Sequence, residues 1–202
     1  MLGYNKLMFR RDKSLRSFER FVYKKLGTTK SAADLVANTV GVFIGVKPAM
    51  QGDWPLELAD SKTLWLLKQK FESLRLFIVF DRAECNNRIF FVAKSHKKAE
   101  ALRSAFSRLA NAGPSAEINT SIGELLGYPS SAIQYYIRLH PEKGLSENHR
   151  ANLERNRFYA HSIAHEDEEF NSYEVPIYRQ LRKYCAKTAN FYRKDMTKRW
   201  LD

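Results

Sequence analysis

Residues 76–94 read LFIVFDRAECNNRIFFVAK, and the class of the fold turns on how this stretch is parsed. Leu76–Asp81 and Arg88–Lys94 are dense in aliphatic and aromatic side chains, which suit a pleated, buried surface. Between them Cys85-Asn86-Asn87 is turn-like, because asparagine tolerates the left-handed backbone of a tight reversal. Two such runs joined by a short turn predict an antiparallel hairpin.

Helical periodicity resumes on both sides. Asp60–Ser73 places Leu64, Leu67 and Phe71 on one face, and His96–Ala112 does the same with Ala99, Leu102, Ala105/Phe106 and Leu109 before Gly113-Pro114 ends it. Upstream, Val40–Lys47 is a β-prone run closed by Pro48, which predicts a first strand. A strand–helix–strand order favours a parallel, right-handed crossover, to which the hairpin adds an antiparallel member. The expected class is therefore α+β (mixed α/β): a small three-stranded mixed sheet with helical layers and a helical C-terminal half. With no repeat, linker or low-complexity tract, residues 1–202 read as a single domain. Its parts are a basic helical region at 1–30, an α/β core at 40–112 and a helical region at 119–202.

The charge is unevenly placed. The chain carries a formal net charge of +12, of which +7 lies in residues 1–30 and +5 in residues 173–202, while the middle sums to zero. In the first region Asp12 can cap a helix running to Leu26, with Leu15, Phe18, Phe21/Val22 and Leu26 inward and Gly27 stopping it. Lys13, Arg16, Arg20 and Lys24 fall three and four apart on the opposite stripe. A short helix over Ser31–Asn38 follows. In the last region one amphipathic helix is expected over Val175–Met196. Ile177, Leu181, Tyr184/Cys185, Thr188 and Tyr192 line its inner face, with Arg179, Lys183, Lys187 and Lys194 opposite. Docking of this stripe on the body is preferred to a membrane surface, because an aromatic-rich stripe is ordinary for a core. A neutral body with basic ends is what contact with a polyanion requires.

Several chemistries lack their signatures. No phosphate-binding loop, dinucleotide fingerprint or G-x-S-x-G elbow occurs. Two cysteines, Cys85 and Cys185, make neither a disulfide framework nor a thiolate cluster, and a reducing, cytoplasmic setting is the default. The longest apolar run, VGVFIGV, is far short of the about 20 residues that cross a bilayer. MLGYNKLMFRR has neither the apolar core nor the cleavage site of a secretory signal. The densest polar cluster is HSIAHEDEE, residues 161–169. His161 and His165 would share a helix face, and Glu168 or Glu169 could complete a metal set, although this spacing alone is a weak signal. A solvated or capping role is preferred, and no cofactor is expected.

IGELLGYPSSAIQYYI, residues 122–137, reads as a corner between two helices. Ser121 and Glu124 have the spacing of a capping box, Gly127 suits a left-handed helix end, and Pro129 fits the first turn of a new helix. The second helix would bury Ala132, Ile133 and Tyr136/Ile137 and present Ser130, Ser131, Gln134 and Arg138. The same pattern describes a helix-turn-helix, in which that polar face would meet nucleic acid. A packing corner is preferred.

Around Leu126-Gly127-Tyr128-Pro129 the chain resembles a group of uncharacterised archaeal and bacterial proteins built on an L-G-Y-P motif. Phe91–Lys94, Gly123–Pro129, Gly45-Val46-Lys47-Pro48, His161-Ser162 and Tyr173-Glu174-Val175-Pro176 echo the same group. Members often follow the motif with a cysteine pair, where this chain has Ser131 and Ala132, so no thiol or metal role is implied. The resemblance implies a shared fold and no reaction.

Taken together, these features favour an accessory protein that contacts RNA or DNA phosphates through Lys13, Arg16, Arg20, Lys24, Arg179, Lys183, Lys187 and Lys194, with Arg138 contributing. One alternative is an enzyme or small-ligand protein with Tyr128, His161, Glu168 and Glu169 around a pocket at the corner. The other is an adaptor for an acidic protein partner.

Overall fold

The computed structural model describes residues 2–84, 86–128, 130, 133, 134, 137 and 175–201. Its elements in chain order are α1 (Leu2–Leu26), α2 (Lys30–Ile44), β1 (Ala49–Pro55), a 3-10 turn (Leu56–Leu58), α3 (Ser61–Ser73), β2 (Phe77–Glu84), β3 (Asn87–Ala93), α4 (His96–Ala112), α5 (Ala116–Leu126), α6 (Val175–Tyr184) and α7 (Ala186–Leu201). The α+β class, a sheet of three strands and the β2–β3 hairpin are as the sequence predicts.

The hairpin forms with Phe80 opposite Phe90, and a register shift between Phe80 and Ala83 marks a bulge. Asn86 turns the chain in the left-handed region at φ 62°. The strand order is β1-β3-β2, with both pairings antiparallel. β1 and β2 therefore run the same way, as a crossover through α3 requires, but β3 lies between them. The expected mixed sheet is in fact antiparallel throughout.

The sheet is a middle layer. Met50, Trp54, Ile78, Phe80, Phe90 and Val92 face the larger core, shared with α1, α2, α3, α6 and α7. Ala49, Val79, Ile89, Phe91 and Ala93 face the smaller one, where Ala99, Leu102 and Phe106 of α4 and Leu125 and Leu126 of α5 pack. This alternation is the period-two pleat, with each face buried by helices. Gly52 sits opposite Phe90 in the ladder, where a Cβ would come 2.4 Å from the Phe90 ring. The missing side chain lets that buried ring lie across β1.

The first strand is not where the sequence puts it. Val40–Ile44 belongs to α2, which Thr29 caps by accepting the Ala32 N–H at 3.1 Å and Gly45 ends in the left-handed region. Val40, Gly41 and Val42 are buried there. Packing of this segment outweighs the β preference of its branched side chains. β1 begins after Pro48 instead.

Three boundaries differ for equally local reasons. α1 starts at Leu2, so Asp12 is inside the helix rather than at its cap; LGYNKLMFRR is free of proline and rich in good helix formers. α5 is capped by Ser115, which accepts the Ile118 N–H at 3.2 Å, so Ser121 lies mid-helix and makes no capping box. The far end is as expected: Gly127 is left-handed, and the Gly127 and Tyr128 N–H groups donate to Glu124 and Gly123 carbonyls, the paired bonds of a Schellman ending. Finally, the single helix expected over Val175–Met196 is two, α6 and α7, broken at Cys185.

Candidate polyanion-binding groove

The break at Cys185 positions α1. Glu19, buried at 8% exposure, accepts the Thr188 backbone N–H at 2.8 Å and the Thr188 hydroxyl at 2.9 Å through the same oxygen, Oε1. Thr188 is in the first turn of α7, where backbone N–H groups have no partner within the helix. A carboxylate from α1 thus caps α7 from outside and satisfies a donor that a continuous helix would have used. The Tyr23 hydroxyl is 3.3 Å from Thr188 Oγ1, and the Cys185 thiol lies 3.9 Å from the Leu15 carbonyl. Burial, then Glu19, push that thiol far above its usual range, with Arg16 opposing. Cys185 is a packing residue, fully buried in the larger core.

The other flank of α1 meets α3. Phe18 and Phe71 pack with ring centroids 5.0 Å apart, and Lys25 donates to Thr63 at 3.1 Å. The two helices also line an open groove of about 660 Å³. Lys13, Ser14, Arg16, Ser17 and Arg20 line it from α1; Trp65, Leu66, Gln69, Lys70 and Ser73 line it from α3. Lys70 donates to Ser17 at 2.7 Å, which holds its ammonium across the gap. No carboxylate is among these lining residues. Glu72 is the nearest acid on α3 by sequence, and it is engaged by Gln69 at 2.7 Å and Lys68 at 3.8 Å.

The sequence-derived cations divide as follows. Lys13, Arg16 and Arg20 line the groove, and Lys24 is exposed further along α1. Lys187 is on α7 with its ammonium 4.4 Å from the centre of the Tyr23 ring of α1, outside the groove lining. Arg179 and Lys183 are exposed on α6 and are not part of the groove lining. Lys194 is on α7. Trp65 and Lys70 escaped the sequence reading because on α3 they look like an ordinary solvent face. Only the meeting of the two helices gives them a common target.

The corner offers less. Tyr128 is half-buried against the larger core, and Ile133 is buried against Gly123, where a Cβ would come 2.7 Å from it. Ser130 and Gln134 are exposed. Ser131, Arg138, His161, His165, Glu168 and Glu169 lie outside the described residues. Among the described residues no group of His, Cys, Asp or Glu is placed to hold a metal ion, and no helix is long and apolar enough to cross a membrane.

A second polar chain ties α2 to α7. Tyr192 donates to Asp34, which Lys30 also meets at 2.5 Å; Asn38 donates to the Asp34 carbonyl at 2.9 Å and accepts from Lys47 at 2.6 Å. Burial lowers the Lys47 ammonium to about 7, with Asp34 offsetting part of the effect. Above pH 7 the folded chain has released a proton that the unfolded chain holds until its ordinary value near 10.5. Stability therefore rises with pH through that window, whereas below it the cost of the buried charge is fully present. We expect about 2 kcal/mol of added stability between pH 7 and pH 9 in urea titrations. Lys47→Met should remove this rise and be the more stable protein at pH 6.

No family model, curated protein or solved structure matches this chain.

Proposed function

We propose that this chain is a nucleic-acid-associated accessory protein that holds RNA or DNA phosphates in the α1–α3 groove. The observation that carries the reading is the convergence of Lys13, Arg16, Arg20 and Lys70 on one open groove with no lining carboxylate. Phosphate binding needs such an arrangement, because cations there displace condensed counterions instead of neutralising a neighbouring acid. The Lys70–Ser17 bond preorients one of these cations. A cytoplasmic setting accords with a free, buried cysteine.

Binding should weaken steeply with salt. Four neutralised phosphates give a slope of about −3 to −4 in log K against log salt. Fluorescence anisotropy of labelled RNA and DNA across a salt series measures it. Absence of binding at low salt, or binding with no slope, refutes the reading. Retention from a lysate that survives nuclease treatment, without affinity for either nucleic acid, would identify an acidic protein as the partner instead.

A further inference from the structure

The groove also contains an exposed indole. Trp65 is 58% exposed, the most open of the large apolar side chains described, whereas Trp54 is fully buried with its N–H donating to the Leu58 carbonyl at 3.3 Å. The core therefore accommodates Trp54 completely and leaves Trp65 among the groove lining with four cations. Leu66 and Lys70, one helical turn apart on α3, are both in the lining, so the groove offers apolar as well as charged surface beside the indole. An aromatic face within a cationic groove is the combination that binds a nucleic acid through its bases and its backbone together. A duplex keeps its base faces stacked inside and offers only phosphates, so Trp65 would have nothing to meet. A base-free polyanion leaves it equally idle.

Resting on the phosphate-binding reading above, we infer that the groove takes a single strand, with one base stacked on Trp65 and the flanking phosphates on Lys13, Arg16, Arg20 and Lys70. Recognition of this kind is tolerant of sequence, since every base has a π-face.

The full-length protein, Trp65→Ala and Trp65→Phe are titrated with an oligothymidylate, a duplex of the same length and a heparin oligosaccharide. The oligothymidylate should bind the wild type more tightly than the duplex. Trp65→Ala should weaken the oligothymidylate about 10-fold and leave heparin within about two-fold. Trp65→Phe should keep most of the affinity but lose the quenching of tryptophan emission that the single strand causes in the wild type. Because the indole is exposed, unchanged circular dichroism is expected for both variants. The inference is overturned if the duplex binds as tightly as the single strand, or if Trp65→Ala is neutral, or if it weakens heparin equally. In each of those cases the salt-dependent binding persists and the phosphate reading stands. Failure of all three probes to bind removes the phosphate reading itself.

Discussion

Glu19→Ala is expected to lower the unfolding free energy by about 3 kcal/mol, the largest effect of any single polar substitution we foresee. Two hydrogen bonds are lost at once, and the Thr188 hydroxyl is left with only the Tyr23 oxygen at 3.3 Å. The Thr188 N–H is in the first turn of α7 and the Thr188 hydroxyl is fully buried, so neither finds water in exchange. Each hydrogen bond to a charged acceptor contributes about 1.5–3 kcal/mol, and loss of a helix cap alone costs about 1. Against this stands the relief of no longer burying a carboxylate, which keeps the total near 3 rather than 5. Thr188→Val removes only the hydroxyl and should cost about 1 kcal/mol. In the double variant the effects should fall short of additive, because both act on the same bonds. Urea unfolding of the four proteins measures the cycle. A neutral Glu19→Ala would mean that the α6–α7 break is held by packing alone.

The same contact explains what could and could not be read from the sequence. The break at Cys185 is invisible locally, since the carboxylate that stabilises it, Glu19, is 169 positions before the Thr188 it caps. The amphipathic pattern runs through the break undisturbed, so a single helix was the natural expectation. β1 is hidden for a related reason. AMQGDWP has little β preference, and it becomes a strand because β3 offers it an unpaired edge. Val40–Ile44 is the converse, a β-prone run drawn into a helix by burial on several sides. Where local preference and packing agree, as in the β2–β3 hairpin and α4, the sequence was sufficient. The groove divides in the same way. Lys13, Arg16 and Arg20 were legible because three- and four-residue spacing on one helix needs no partner. Trp65 and Lys70 were not, because their place opposite α1 depends on the Phe18–Phe71 contact.

Location, more than total charge, should decide the binding. Arg16→Glu with Arg20→Glu is expected to weaken nucleic acid at least about 100-fold at low salt, since two attractive contacts become repulsive and the groove acquires its first acids. Both side chains are exposed, and the only hydrogen bond described for either is from Arg20 Nε to the Arg16 carbonyl at 3.4 Å, so the fold should tolerate the change. Lys97→Glu with Lys98→Glu alters the net charge by the same amount on α4, across the sheet from the groove. Those positions open a helix, where acids are favoured, and binding there should fall by no more than a few-fold. A third pair, Arg179→Glu with Arg182→Glu on α6, separates the groove from a general basic face. Exposed charges act over about a Debye length, 8–10 Å at ordinary ionic strength. If the contact is the groove, the α6 pair should resemble the α4 control and lose its small effect as salt is raised. If all three pairs weaken binding alike, the association follows overall charge and the groove has no special part in it. Equal melting temperatures across the three pairs, measured beside the anisotropy titrations, would assign the differences to binding.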